Sequence, residues 1–268
     1  MNTIVPLAIL TLREGLRHRM LHGIGLLALM MAMATMLIPS LFSYDLGKVA
    51  IDVGLSTMSA SGLLIIFFLA INILGKDLDK KTIYMVLATP TSRAHYVLGK
   101  FLGVCLLLLV SFLFLSCLLY AALGIVNSVP HTNIKLAFSW TTLAYAQVFL
   151  FLELILITAI VFFFMSFSSS FYLALIFSGS AYLIGTSIES VQLALATKQV
   201  QSPAGAASMM QWVKWVFPNL AAFDLKTIAA HGLPIMEGTL AMTFIYWLCY
   251  TTLLLSCTIF FFNRRELS

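Results

Sequence analysis

The chain has 268 residues, 61% hydrophobic and 9% charged, against roughly 45–50% and about 25% in soluble domains. That composition excludes an ordinary soluble domain and places the chain in a bilayer. Fifteen basic and ten acidic residues give a net charge of +5, which in such a chain is a topology signal and a poor match to a nucleic-acid surface.

Residues 1–20 read as an interfacial helix lying along the membrane. Ile4, Leu7, Leu12 and Leu16 supply apolar surface, and Arg13, Arg17 and Arg19 can meet anionic head groups. The apolar stretch has no basic residue before it and three after it, so it is not expected to be a cleavable signal. Glu14, His18 and His22 recur every four residues on one face, which reads as a juxtamembrane polar stripe in preference to a metal site. The first span is expected over 22–41. Its Met30, Met31, Met33 and Met36 spread around the helix and so favour packing over copper binding. A short connection with Tyr44, Asp45, Lys48 and Asp52 leads to a second span over 55–74.

Between the second and third spans lies the most heavily charged inter-span stretch, 75–96. Five of the fifteen basic residues fall from Lys76 to Lys100. Asp79 can cap a short helix from Thr82 to about Ala88, and Pro90 stops it. Ile83, Val86 and Leu87 share one face of that helix, and Ser92 can cap the next. A capped helix with one apolar face, held between two spans, is built to dock on something outside the membrane.

The third span is expected over 97–123, with Gly99 and Gly103 forming a small-xxx-small pair that permits close helix contact. The fourth follows over 143–165, and a tight Ser-Phe-Ser-Ser-Ser joint forces the fifth, 171–188, to lie antiparallel beside it. Residues 189–239 read as an external loop with a helical segment, and Trp212 and Trp215 sit on one face as at a lipid–water boundary. The last span is expected over 240–262. No soluble domain is expected on the chain, and the fold class is therefore an all-α membrane protein with six transmembrane helices. Basic residues number ten on the side of the termini and the 75–96 loop and five on the other, so that side is expected to be cytoplasmic, with the protein in the cell (inner) membrane.

Glu153 lies in the middle of the fourth span, where an ionisable group costs roughly 2.5–3.5 kcal/mol on insertion scales and needs a partner or water. It is either a pathway residue or a carboxyl bonded to a neighbour such as Asn72 of the second span. Gln147 reads as an interface residue and Glu189 as solvated. The four cysteines form no CxxC pair, so neither a disulfide framework nor a zinc site is expected. GxxxxGK[ST], HExxH and GxSxG are all missing, so the chain is expected to hydrolyse no ATP itself and not to be an enzyme.

Lys81-Thr82-Ile83-Tyr84, then Val86-Leu87-Ala88-Thr89-Pro90-Thr91-Ser92-Arg93, then Gly99-Lys100, resembles the loop after the second span in ABC-2 type ABC transporter permeases, most closely the NosY-like branch. The six-span plan is similar too, as is the segment Phe217 to Asp224 before the last span. The family's loop usually carries glutamates and a glycine before the threonine, where this chain has Asp77, Asp79 and Lys81. The resemblance implies that Thr82, Ile83, Tyr84, Val86, Leu87, Pro90, Ser92 and Arg93 form a coupling helix seated in a separate ATP-binding subunit. It implies two permease copies, as a homodimer or heterodimer, with membrane lipids around them and no nucleic acid. ATP and Mg would be held by the partner, with no cofactor or metal on this chain. A secondary transporter is the alternative, weakened by the lack of paired intramembrane charges or an evident inverted repeat. An intramembrane enzyme is a weaker alternative still.

Overall fold

The computed structural model describes residues 4–19, scattered positions between 21 and 33, 46–73, 75, 92–128, 139–168, 170–197, 212–233 and 237–264. Every regular element among them is helical. They are α1 (Ile4–Arg17), α2 (Leu46–Leu64, continued by a π-helical stretch Ile65–Ala70), α3 (Arg93–Ser128), α4 (Trp140–Phe167), α5 (Phe171–Ala196), α6 (Lys226–His231) and α7 (Glu237–Arg264). A 3-10 turn, Ala221–Phe223, precedes α6. Five helices are long and apolar enough to cross a membrane: Lys48–Ile73, Arg93–Gly124, Trp140–Phe167, Phe171–Leu195 and Gly238–Arg264. They correspond to predicted spans two to six. Most of the first, over 22–41, lies outside the described residues.

The second span starts earlier than the sequence suggested. Lys48 and Asp52, read as a connection, belong to α2, because nothing from Lys48 to Gly54 breaks a helix and Asp52 lies on an exposed face. The tight joint is as expected. The Ser168 hydroxyl donates to the Ser170 carbonyl at 2.9 Å, and the Ser170 hydroxyl caps α5 by accepting from the Tyr172 N–H at 3.3 Å.

Ring pairs fix the directions of the helices. Tyr120–Trp140 at 5.9 Å, Phe112–Phe151 at 5.4 Å and Phe101–Phe162 at 5.4 Å run α3 and α4 antiparallel. Tyr96 stacks on Phe262 at 5.9 Å, and Phe163 meets Phe261 at 6.0 Å, so the end of α7 lies beside the start of α3 and the end of α4. Gly75 lies against Phe171, and Phe67 meets Tyr182 at 6.1 Å, which sets α2 antiparallel to α5. One end of the bundle thus collects Gly75, the start of α3, the α4–α5 joint and the end of α7. Eighteen of the 28 residues of α4 are buried, and its apolar residues are spread over all faces, so it occupies the centre.

The N-terminal helix packs on α3, with Ala8, Thr11 and Gly15 buried there. The pair Gly99 and Gly103 is its seat. A Cβ at Gly99 would lie 2.8 Å from Leu7 Cβ, and one at Gly103 would lie 2.5 Å from Thr11 Cβ and 2.8 Å from the Ala8 carbonyl oxygen. Such close backbone approach is what small residues at helix contacts allow. Glu14 pairs there with buried Lys100 at 3.6 Å, so it is not part of a bare juxtamembrane stripe.

The segment read as an external loop is also partly inside the protein. The Leu220 N–H donates to the Gly185 carbonyl at 3.2 Å, midway along α5, and Leu220, Phe223, Ala229 and Ala230 are buried. From α7, the Tyr250 hydroxyl donates to the Val216 carbonyl at 2.8 Å, while the Tyr246 hydroxyl accepts from the Asn219 N–H at 2.9 Å. Gly232 closes α6 at φ 60° and ψ 31°, a left-handed conformation suited to glycine. The chain therefore dips into the bundle and returns.

Candidate functional site

Two places gather the polar chemistry. The first is where the predicted docking loop meets α3. Thr82, Ile83, Tyr84, Val86, Leu87 and Pro90 lie outside the described residues. Ser92 and Arg93 are described. The Ser92 hydroxyl accepts from the His95 N–H at 3.3 Å, so Ser92 caps α3 as the sequence suggested, and it also bonds the His95 ring. Arg93 does something that sequence reading missed. Its Nη1 donates to the carbonyls of Phe262 at 3.2 Å and Asn263 at 3.0 Å, in the last turn of α7. Helix C-terminal carbonyls have no partner within their own helix, and a cation there is favoured by the dipole. The guanidinium and the Tyr96–Phe262 stack fasten the exit of the loop to the end of the chain's final helix.

The second place surrounds Glu153. Its side chain is only 6% exposed and makes no hydrogen bond among the described residues. Lys226 and Asp224, carried in by the segment that dips into the bundle, lie within its electrostatic reach, as does Tyr182 of α5. Lys226 is bound to Asp224 at 4.0 Å, and their side chains are 23% and 49% exposed. Exposure falls from Asp224 through Lys226 to Glu153.

Asn72 is not the partner of Glu153. Gly62 packs on Leu154, where its Cβ would meet Leu154 Cδ1 at 2.4 Å. Asn72 is about ten residues, or roughly 15 Å, further along that helical axis. Gln147 is buried between helices: it accepts from the Ser116 hydroxyl at 3.0 Å, and its Nε2 approaches Met58 Sδ at 3.9 Å, joining α2, α3 and α4. The sequence signal for Lys226 and Asp224 was weak, because a polar pair in a loop of mixed composition reads as solvated. The clue was the apolar run Leu220 to Phe223 before it, which needs burial.

Charge balance sets an expected result for this cluster. Lys226→Met removes the cation within reach of Glu153 and Asp224 and should destabilise the purified protein by about 1–3 kcal/mol, allowing for the part-exposure of Lys226. Glu153→Gln removes the buried ionisable group and should insert and assemble normally. In the double variant the penalty of Lys226→Met should shrink by more than half. Thermal unfolding of all four proteins in one detergent measures this coupling, and strict additivity would refute it.

Fold and site together define an all-helical membrane protein with five helices able to span a bilayer and an ionisable carboxyl buried among them. Compared with known proteins, the chain matches no family model and no curated protein sequence.

Proposed function

We propose that this chain is the permease subunit of an ABC-2 type ABC transporter, moving a substrate with energy from ATP hydrolysed by a separate subunit. The carrying observation is the clamp at Arg93. The resemblance places the coupling contact in the loop before α3, and Arg93, the first residue of α3, holds the final turn of α7. A push on that loop would pass both to α3, which it precedes, and to α7, which Arg93 grips. Two permease chains and two ATPase chains would form the complex, with ATP and Mg on the partner.

Six spans fit this reading. Leu21 and Gly25 lie beside Val110 to Leu115, in the middle of α3 and past the seat of α1 at Gly99 to Leu107, while α2 begins toward the far end of α3, since Gly54 packs on Leu119. The apolar run 22–41 is long enough to connect the two. With both termini cytoplasmic, cysteines placed at Ser128 and Ser202 should react with an impermeant reagent outside intact cells, and one at Thr91 should not. Labelling at Thr91 from outside would overturn both the orientation and the docking role.

Purification from the native membrane tests the class: a co-purifying P-loop ATPase is expected. The reading as a secondary transporter gains one observation, because Lys226 and Asp224 lie within electrostatic reach of buried Glu153. Transport by the isolated chain in vesicles under an ion gradient, without ATP, would favour that reading instead.

A further inference from the structure

A cavity of about 260 Å³ lies between the N-terminal segment, α2 and α3. Leu16, Leu21 and Gly25 line one side, and Ile65, Ser111 and Phe114 are among the residues lining the other. Ile65 begins the π-helical stretch of α2, an irregularity that accompanies functional sites more often than ordinary helix does. A Cβ at Gly25 would meet nothing within 4 Å. The walls are almost wholly apolar, and apolar cavities take apolar occupants; one of about 150 Å³ suffices for benzene. The space is too small for a whole phospholipid and suits the end of one acyl chain.

The rim supplies the other half of a lipid site. Leu16, at the cavity, is neighboured on α1 by Arg13, three residues before it, and Arg17 lies one turn beyond Arg13. Both arginines are exposed and make no ion pair among the described residues, and α1's one carboxylate, Glu14, is already paired with Lys100. Two exposed cations a turn apart, next to the wall that Leu16 gives an apolar cavity, complement a phosphate head group joined to a hydrocarbon tail. We infer that this cavity, with Arg13 and Arg17, is a specific site for an anionic phospholipid, one acyl chain inside and the head group at the arginines.

The test uses the purified full chain in detergent, titrated with dioleoylphosphatidylglycerol or dioleoylphosphatidylcholine and read by native mass spectrometry. Phosphatidylglycerol should be retained preferentially, by tenfold or more, and Arg13→Gln with Arg17→Gln should erase that preference, at about fivefold per arginine. Gly25→Leu should lower occupancy by both lipids while leaving the thermal melt unchanged. A phosphatidylglycerol bearing a photoreactive group at its chain end makes the test independent of any variant. Its adducts on the wild-type chain should concentrate in peptides containing Ser61 to Ile65 and Val110 to Leu115. Equal retention of the two lipids, or adducts spread over the outward faces of α5 and α7, would overturn the assignment.

Discussion

Gly103→Leu should dislodge the N-terminal helix from the bundle. The position faces backbone as well as side chain: an added Cβ would lie 2.5 Å from Thr11 Cβ and 2.8 Å from the Ala8 carbonyl oxygen. Thr11 cannot swing aside, since it is 1% exposed and its hydroxyl is bonded to the Leu7 carbonyl at 2.9 Å. The helices must separate, and Glu14 is then drawn away from Lys100. Overpacking of this kind costs about 1–3 kcal/mol, and contact with unyielding backbone argues for the upper part of that range. For a chain of about this size each kcal/mol lowers Tm by roughly 2–4 °C. Gly124→Leu is the matched control, because a Cβ there meets nothing within 4 Å, and its effect should stay within about 0.5 kcal/mol. Hydrogen exchange over Ile4–Arg17 should accelerate in the first variant alone. Equal protection in both would show that the glycine seat does not hold α1.

The contrast between that seat and the interior cluster explains what sequence reading could reach. Long apolar runs with sharp polar ends fixed five spans to within a few residues at most of their ends, because burial of twenty apolar residues in lipid leaves few alternatives. The serine joint was legible for the same reason: two long helices and three intervening residues admit one arrangement. Gly99 and Gly103 were visible as a contact surface but not as a contact with α1, since small-residue spacing says that something approaches and not what. Arg93 was singled out, yet its acceptors are main-chain carbonyls about 170 residues away, and a carbonyl leaves no mark in a sequence. Lys226 and Asp224 reached Glu153 by a dip of the chain that only the packing of Leu220 on Gly185 reveals. Short-range chemistry was readable; pairings that depend on where the backbone returns were not.

Arg93→Ala and Arg93→Lys should both loosen the end of the last helix, and they should do so unequally. At the first turn of α3 a cation is disfavoured by about 0.3–1 kcal/mol, so the residue needs compensation elsewhere. The carbonyls of Phe262 and Asn263 supply it, at 3.2 and 3.0 Å. They lie at the negative end of the α7 dipole, and hydrogen bonds from a charged donor contribute roughly 1.5–3 kcal/mol in buried settings. Arg93 is part-exposed, which reduces the expected loss in Arg93→Ala to about 1–2 kcal/mol. Lysine restores the charge without the planar fork, so Arg93→Lys should recover about half. Amide exchange over Thr258 to Arg264 is the direct measurement: fast in Ala, intermediate in Lys and slow in the wild type. Should Arg93 serve only to attract head groups, lysine would match the wild type and α7 would stay protected in both variants. Within the proposed transporter the same loosening breaks the link between docking loop and final span, so both variants should hydrolyse ATP with their partner while transporting less per ATP. Unchanged exchange together with wild-type coupling in both would remove the clamp from the mechanism.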